Sequence, residues 1–217
     1  MEPRFRTVIF DCDSTLTAVE GIEELAREHR GAVADLTEQA MRGLIPLEEV
    51  YGRRLALIRP SREAVDQLGN LYIRALVPGA MDTVRALRTA GVVVQVLSGG
   101  LAPAVGRLAR HLGIPDDRVA AVDIRFDAVG RYAGFDETSP LARSGGKRAW
   151  IDQSAERLPP PVLLVGDGAT DLEARPAVAA FVAYTGVAAR EEVLRHADLV
   201  VSGPSLTAVL HYCGIAP

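Results

Sequence analysis

The sequence predicts an α/β fold: a Rossmann-like open parallel sheet with a small helical domain inserted after the first strand. Short, apolar, β-branched runs alternate with helical patterns along most of the 217 residues, which is typical of strands buried on both faces of a parallel sheet. The interval from Gly21 to about Leu76 breaks this alternation, because it is helical in pattern and contains no strand-like run. The chain is long enough for one core domain that carries such an insertion.

Apolar runs bounded by polar or glycine residues predict five strands: Thr7 to Phe10, Val92 to Leu97, Val162 to Val165, Val178 to Ala183 and Leu199 to Val201. Periodic segments between them predict crossover helices: Met81 to Ala90, Leu101 to Leu112, Lys147 to Leu158 and Glu191 to His196. The stretch from Val119 to Gly134 alternates loosely around Gly130, which predicts a β-hairpin.

The inserted segment is longer than a connection in this fold requires. A crossover needs only about a dozen residues, and the segment between the first strand and Pro78 is several times longer. Its last part places apolar residues at the spacing of one helix face: Val65, Leu68, Tyr72 and Ala75. We therefore predict a core domain formed by residues 1–16 and 77–217, and a helical cap domain formed by residues 17–76.

The overall charge of the chain argues against a nucleic-acid partner. It carries 24 basic and 28 acidic residues, a net charge of −4, without any block of basic residues, whereas phosphate-contacting proteins show a basic face or stripe. Cys12 and Cys213 lie far apart with no CxxC motif, so neither a disulfide framework nor a zinc site is predicted. No run approaches the ~18 apolar residues of a membrane span. We expect a cytoplasmic protein with no membrane partner, and the sequence leaves a homodimer open.

Pairs of acidic residues follow two of the predicted strands. Asp11 and Asp13 come directly after the first strand, and Asp167 and Asp171 follow the run from Val162 to Val165. Taken alone, the first pair fits a helix N-cap as well as it fits a metal or nucleophile site. The second pair favours a site, because the carboxyl ends of parallel strands meet at one edge and four gathered carboxylates need a cation. Oxygen ligands without histidine or cysteine favour Mg²⁺ over zinc.

Two further motifs offer contacts for an anion. Ser98-Gly99-Gly100 ends a strand before a helix, so a hydroxyl and backbone N–H groups lie near a helix N-terminus. Lys147 follows two glycines and opens a helix, where the helix dipole disfavours a cation. By itself the first motif fits an ordinary turn, and the lysine fits a surface residue. Together with the four acids, they predict a site for an anionic ligand.

Four motifs carry a resemblance to a known family. In this order, DCDST, LSGG, the lysine of GGK and GDGATD resemble the motifs of the haloacid dehalogenase superfamily of phosphotransferases. Within that superfamily, VEGIEELA, RLALIRPSRE, AGFDET and GDGATDLEA are similar to the phosphoserine phosphatase family. The resemblance extends from Arg6 to about Ala197, and RLALIRPSRE lies in the inserted helical segment, where this family sets its specificity.

The resemblance implies a mechanism for the acidic residues. Asp11 would be the nucleophile that becomes an aspartyl phosphate, and Asp13 would protonate the leaving alkoxide and later deprotonate the hydrolytic water. Mg²⁺ would be held by Asp11, the backbone carbonyl of Asp13, and Asp167. Asp171 would hold metal-bound waters or Lys147.

The resemblance also implies the groups that bind the substrate. Ser98, the N–H of Gly99, the neighbouring Gly100, and Lys147 would surround the phosphoryl oxygens, so Ser98 and Lys147 also count as catalytic. In the cap, Glu20 would take the ammonium group of serine and Arg54 its carboxylate. The remaining candidates for contact with the substrate are Met41, Thr170 and Arg190.

The resemblance therefore implies an Mg²⁺-dependent phosphomonoesterase that converts O-phospho-L-serine to L-serine and phosphate. A related alternative is a phosphatase or phosphotransferase for another small amine-bearing phosphoester, such as phosphohomoserine or phosphocholine. An alternative from another class is a non-catalytic phospho-ligand binder on the same fold. Such a binder would usually lack the nucleophile, whereas Asp11 and Asp13 are both present.

Overall fold

The secondary structure comes from a computed structural model that describes residues 2–41 and 47–216. The strands are β1 (Thr7–Phe10), β2 (Val93–Leu101), β3 (Val119–Val122), β4 (Ile124–Phe126), β5 (Tyr132–Phe135), β6 (Val162–Gly166), β7 (Ala180–Tyr184) and β8 (Leu199–Val201). The α-helices are α1 (Gly21–Leu25), α2 (Arg30–Met41), α3 (Leu47–Ile58), α4 (Arg62–Arg74), α5 (Ala80–Thr89), α6 (Ala102–His111), α7 (Gly146–Gln153), α8 (Ala169–Ala174), α9 (Glu191–His196) and α10 (Ala208–Cys213). Short 3-10 helices span Arg27–His29, Asp116–Arg118, Pro140–Ala142, Ala155–Arg157 and Arg175–Ala177.

Six strands form one sheet in the order β3-β2-β1-β6-β7-β8, and every neighbouring pair is parallel. All four residues of β1 are buried, as continuous apolar runs require when helices cover both faces. The predicted α/β fold class is confirmed. Because β1 lies between β2 and β6, the carboxyl ends of these three strands meet at one edge of the sheet.

The predicted hairpin from Val119 to Gly134 is only partly right. Its first segment, β3, joins the parallel sheet beside β2 as an edge strand, and the antiparallel hairpin is formed by β4 and β5 alone. The pairing of Val122 with Leu101 carries β2 through the Ser98-Gly99-Gly100 motif, which sequence analysis placed in a turn after the strand. Val122 is fully buried there, so pairing and burial both favour the sheet.

Two predicted boundaries are also too wide. Sequence analysis extends a helix from Lys147 to Leu158, but α7 ends at Gln153 and a separate 3-10 turn follows. The sequence also predicts a strand that starts at Val178, whereas β7 begins at Ala180. A 3-10 helix spans Arg175–Ala177, and the Val178 N–H donates to the Arg175 carbonyl at 3.2 Å, so this N–H closes the turn and does not join the sheet.

Helices α1 to α4 fill the interval between β1 and α5, in agreement with the predicted helical insertion. Ser61 caps α4 by accepting a hydrogen bond from the Ala64 N–H at 3.1 Å. Helix α4 packs against α6 of the core, and Gly69 allows the close approach, because a Cβ there would lie 3.3 Å from the Ala104 Cα. Among the described residues, each helix is too short or too polar to cross a bilayer.

Candidate active site

The last part of β2 and the segments that follow β1 and β6 open into a cavity of about 640 Å³ between the sheet and the inserted helices. Predicted site residues from both sides line it: Asp11, Asp13, Glu20, Arg54, Ser98, Gly99, Gly100, Lys147 and Thr170. The structure therefore brings most of the predicted residues into one place. The side chain of Met41, at the end of α2, lies outside the described part of the structure.

Three of the predicted acids form a compact group. Asp11, Asp167 and Asp171 each place a carboxylate oxygen within 4.8 Å of the others. Asp171 has no exposed surface, and both of its oxygens have donors: the Lys147 Nζ at 2.6 Å and the Gly168 N–H at 3.0 Å. Gly166 has no space for a side chain, because a Cβ there would overlap the Asp171 carboxylate. Asp171 thus holds other site residues in place.

Lys147 supplies the cation inside this acidic group. Its Nζ lies 2.8 Å from an Asp11 oxygen and 2.6 Å from an Asp171 oxygen, and the residue is only 4% exposed. Burial alone would lower the pKa of Lys147, but the two carboxylates outweigh burial and raise it, so the amine stays protonated. The two acids therefore explain the unusual lysine at the start of α7.

The choice of lysine at this position is specific. Lys147 is the only lysine among the 24 basic residues of the chain, and all the others are arginine. A compact ammonium group with three donors fits between two carboxylates, whereas a planar guanidinium needs more room. The preceding Gly146 is equally constrained, since a Cβ there would overlap the Pro140 carbonyl.

The acidic group also fits a hard divalent cation. Asp167 accepts a hydrogen bond from the Thr15 hydroxyl at 3.1 Å through Oδ1, while its buried Oδ2 has no aligned hydrogen bond. An Arg190 nitrogen lies 3.1 Å from that oxygen, as an ion pair only. Burial and the nearby Asp171 raise the pKa of Asp167 to about 7, although the Arg190 charge and the Thr15 hydrogen bond oppose this shift. An all-oxygen donor set with one unsatisfied buried oxygen suits Mg²⁺.

The nucleophile candidate Asp11 shares this environment. Its backbone N–H donates to the Val165 carbonyl at 2.9 Å, which fixes the turn after β1 against β6. Burial raises the pKa of Asp11 well above its ordinary value, although the Lys147 charge opposes this shift. The carboxylate therefore depends on nearby positive charge to remain ionised.

The side chain of Asp13 stays apart from the other three acids. Its Oδ1 accepts a 2.6 Å hydrogen bond from the Tyr72 hydroxyl, and its Oδ2 accepts a 2.7 Å hydrogen bond from the Gly21 N–H. Burial raises the pKa of Asp13 to about 6, although these two hydrogen bonds oppose the shift. A carboxyl group that titrates near neutral pH suits general acid–base chemistry.

The motif Ser98-Gly99-Gly100 lies in the irregular last part of β2, beside Asp13. Ser98 is buried and its Oγ accepts a hydrogen bond from the Gly100 N–H at 2.9 Å. A Cβ on Gly100 would lie 3.1 Å from that Oγ, so a side chain there would crowd the Ser98 hydroxyl. From the inserted helix α3, the Tyr51 hydroxyl donates to the Gly99 carbonyl at 2.9 Å.

Three of the predicted substrate-binding residues, Glu20, Arg54 and Thr170, lie on the walls of the cavity, whereas Arg190 is not one of its lining residues. Glu20 accepts hydrogen bonds from the Ser14 hydroxyl at 2.7 Å and from Arg190 at 3.2 Å. Arg54 reaches the cavity from α3, and Thr170 reaches it from the first turn of α8. Arg190 pairs with both Glu20 and Asp167, so it links a wall of the cavity to the acidic group.

Three residues that contact the site in the structure are not predicted from the sequence as site residues: Tyr72, Tyr51 and Thr15. The sequence pattern predicts Tyr72 only on the apolar face of a helix. A tyrosine at a core position does carry a signal, because its hydroxyl needs a polar partner once buried. The sequence does not show which partner that is.

Comparison with known proteins agrees with this geometry. Residues 8–176 match the family of haloacid dehalogenase-like hydrolases. A phosphoserine phosphatase from Bos taurus is 41% identical over 198 residues, which cover 90% of this chain and 88% of that protein.

Two solved structures are similar in fold. A substrate-bound phosphoserine phosphatase complex has a TM-score of 0.77 and 27% identity, and the match covers 97% of this chain and 99% of that one. A phospho-aspartyl intermediate analogue of phosphoserine phosphatase has a TM-score of 0.76 and 27% identity, and the match covers 95% and 98%. The chain therefore belongs to the haloacid dehalogenase-like hydrolases and, within them, to the phosphoserine phosphatase family.

Proposed function

We propose that this protein hydrolyses O-phospho-L-serine to L-serine and phosphate. The observation that carries the proposal is that one cavity contains Asp11 and Lys147 on its core side and Glu20 and Arg54 on its inserted side. A phosphoryl group and an amino-acid group of one small molecule match these two sides. The names of the relatives support the same substrate.

Asp11 is the proposed nucleophile. Its carboxylate attacks phosphorus, the bond from phosphorus to the serine oxygen breaks, and an aspartyl phosphate forms on Asp11. Lys147, 2.8 Å from Asp11, keeps the carboxylate ionised and aligned in spite of burial. Asp171 in turn fixes the Lys147 ammonium by its contact at 2.6 Å.

Asp13 is the proposed general acid and base. In the first step its proton passes to the departing serine oxygen, because an alkoxide is a poor leaving group at neutral pH. In the second step the same carboxylate takes a proton from the water that attacks the aspartyl phosphate. A pKa of about 6 allows both protonation states to be reached near neutral pH.

The residues proposed to hold Mg²⁺ are Asp11, the backbone carbonyl of Asp13, and Asp167. When bound, the ion supplies positive charge between the anionic nucleophile and the anionic phosphoryl group. Thr15 orients Asp167 through the 3.1 Å hydrogen bond to Oδ1, which leaves Oδ2 as the oxygen without an aligned donor. Asp171 acts from outside, because both of its oxygens are already used by Lys147 and Gly168.

The phosphoryl oxygens are proposed to contact the Ser98 hydroxyl, the Gly99 N–H and Lys147. The Gly100 N–H donates to the Ser98 hydroxyl and so fixes the position of that hydroxyl in the last part of β2. A preorganised set of donors stabilises the charge that accumulates on the oxygens during transfer.

The cap residues are proposed to recognise the amino acid. Glu20 takes the ammonium group and Arg54 takes the carboxylate, with Met41, Thr170 and Arg190 as further contacts. Residues 17–76 form the proposed cap domain that carries Glu20, Met41 and Arg54. We infer a cytoplasmic location, because a reducing compartment suits the two buried free cysteines.

Substitution of Arg54 tests the choice of substrate. Arg54→Ala is expected to lower kcat/KM for phosphoserine. The loss should correspond to about 2–5 kcal/mol of transition-state stabilisation, the range for truncating one member of a desolvated charge pair. Activity on p-nitrophenyl phosphate, which has no carboxylate, is expected to be nearly unchanged. Arg53→Ala is the matched control, because the adjacent Arg53 pairs with Glu49 at the surface.

Phosphate release should be measured for the parent and both variants with phosphoserine, phosphohomoserine, phosphocholine and p-nitrophenyl phosphate. Equal losses on phosphoserine and p-nitrophenyl phosphate would show that Arg54 supports the fold or the phosphate site. Faster turnover of phosphohomoserine or phosphocholine than of phosphoserine would replace the proposed substrate. No turnover of any member of the panel would contradict the enzymatic proposal altogether.

A further inference from the structure

The Tyr72 hydroxyl joins the inserted helices to the proposed general acid. Tyr72 lies near the end of α4, has no exposed surface, and donates a 2.6 Å hydrogen bond to the Asp13 Oδ1. We propose that Tyr72 is a positioning residue that holds the Asp13 carboxyl in place for proton transfer to the leaving group. The inference rests on the proposed function, because it assigns a role to the acid of that reaction.

Both oxygens of Asp13 are fixed, and Gly21 makes this arrangement possible. The Gly21 N–H donates to Oδ2 at 2.7 Å, opposite the contact from Tyr72 to Oδ1. A Cβ on Gly21 would overlap the Tyr72 hydroxyl, so only glycine at the start of α1 leaves room for both donors. With one donor on each oxygen, rotation of the carboxyl group would break a hydrogen bond.

The part of α4 that carries Tyr72 is itself well anchored. The Thr17 hydroxyl donates to the Tyr72 carbonyl at 3.1 Å, and the same helix packs closely on α6 at Gly69. The hydroxyl therefore has a defined position relative to β1 and the turn after it. Such anchoring is what a positioning residue requires.

The Asp13 oxygen that accepts from Tyr72 lies on the side of the last part of β2. A Cβ on Gly100 would lie 3.6 Å from Asp13 Oδ1, so this oxygen faces the Ser98-Gly99-Gly100 motif. Each oxygen of the Asp13 carboxyl keeps a lone pair that accepts no hydrogen bond from Tyr72 or Gly21. The transferred proton occupies one of these two lone pairs, so Tyr72 keeps its own proton throughout. If the hydrogen bond from Tyr72 is removed, the carboxyl can turn away from the leaving oxygen, and small displacements of a reacting group are costly.

A comparison of leaving groups separates this role from a structural one. Serine leaves as a strongly basic alkoxide and needs the proton, whereas p-nitrophenolate leaves without it. The constant kcat/KM covers only the steps up to release of the alcohol, so the shared hydrolysis of the aspartyl phosphate does not enter. Tyr72→Phe is expected to lower kcat/KM roughly 10- to 100-fold for phosphoserine, but by less than about threefold for p-nitrophenyl phosphate.

The chain offers a matched control for this variant. Tyr184 is also a buried tyrosine, its hydroxyl donates to the Pro204 carbonyl at 2.6 Å, and a Cβ on Gly186 would overlap that hydroxyl. Tyr184→Phe therefore removes a similar hydrogen bond away from the cavity. It is expected to lower the melting temperature but to leave the ratio of the two kcat/KM values at the parent value.

If Tyr72→Phe fails to fold, Gly21→Ala provides a second test of the same role. The added methyl group displaces the Tyr72 hydroxyl from its present position, while the tyrosine side chain itself is kept. Its control is Gly186→Ala, and it is expected to show the same selective loss on phosphoserine. A parent-like ratio in a folded Tyr72→Phe or Gly21→Ala protein, or an equal loss on both substrates, would overturn the role of Tyr72. Failure of the parent to hydrolyse phosphoserine would instead count against the proposed function.

Discussion

Replacement of Lys147 by methionine tests whether this buried cation organises the site. The substitution keeps a long unbranched side chain and removes the charge. In the structure, the Lys147 Nζ lies 2.8 Å from Asp11 and 2.6 Å from Asp171, and the side chains of lysine, Asp11 and Asp171 are 5%, 13% and 0% exposed. The variant would therefore leave two buried carboxylates without their shared partner.

Burial decides the size of the expected effect. An exposed ion pair contributes about 0–1 kcal/mol to stability, whereas removing one member of a buried pair costs about 3–5 kcal/mol. Lys147→Met belongs to the second class, so we expect a loss of about 3–5 kcal/mol in the unfolding free energy of the metal-free protein. For a chain of this length, that corresponds to a fall of roughly 6–20 °C in the melting temperature. Phosphoserine turnover should fall to near background, since Asp11 loses the charge that keeps it ionised.

Urea unfolding in the presence of EDTA measures this loss. The single tryptophan of the chain, Trp150, lies on α7 with Lys147, so its fluorescence reports on the same part of the protein. Arg148→Met is the control, because the neighbouring Arg148 is 55% exposed and its nearest acid, Asp152, is 3.8 Å away. The control should change stability by no more than about 0.5 kcal/mol. A loss below about 1 kcal/mol for Lys147→Met would refute the argument from burial.

Three further predictions concern the chemistry and the metal. Asp11→Asn keeps the shape of the side chain and should lose nearly all turnover, while Asp13→Asn should slow phosphoserine hydrolysis by roughly 10²–10⁴-fold; substantial phosphate release by Asp11→Asn would exclude it as the nucleophile. EDTA should abolish activity, and added Mg²⁺ should restore it. Ca²⁺ should support little turnover, because its coordination shell is looser. Full activity after exhaustive chelation would argue against a metal. Arg190→Gln removes a cation that lies 3.1 Å from Asp167, so calorimetry without substrate should show Mg²⁺ binding about three- to tenfold tighter, and weaker binding would contradict competition between the two cations.

The sheet could be predicted from sequence because most of its strands are buried on both faces. The run from Thr7 to Phe10 has three apolar residues in succession after a threonine, and all four are buried, as expected for a central strand of a parallel sheet. Strand β3 shows where this reasoning fails. It lies at the edge of the sheet and three of its four residues are only half-buried, so its pattern merges with that of the following hairpin. Periodicity alone does not tell which neighbour a strand pairs with.

The acidic group could be predicted for a related reason. Residues at the carboxyl ends of neighbouring parallel strands must lie close together, so positions along the chain were enough to gather Asp11 and Asp167. The partners of individual side chains follow no such rule. Tyr72 and Asp13 are 59 positions apart, and Arg190 and Glu20 are 170 positions apart. Their meeting depends on how the inserted helices dock on the core, which local patterns do not specify.

The inserted helices contribute more than substrate recognition to this site. Tyr72 on α4 donates to the Asp13 carboxyl, and Tyr51 on α3 donates to the Gly99 carbonyl in the last part of β2. Each tyrosine hydroxyl thus fixes one part of the core that the proposed reaction uses. The proposed substrate-binding residues Glu20 and Arg54 therefore lie in the same inserted segment as two hydroxyls that fix parts of the core. It follows that exchanging this segment for another cap would disturb phosphoryl transfer as well as specificity, because the core alone lacks both of these hydrogen-bond donors.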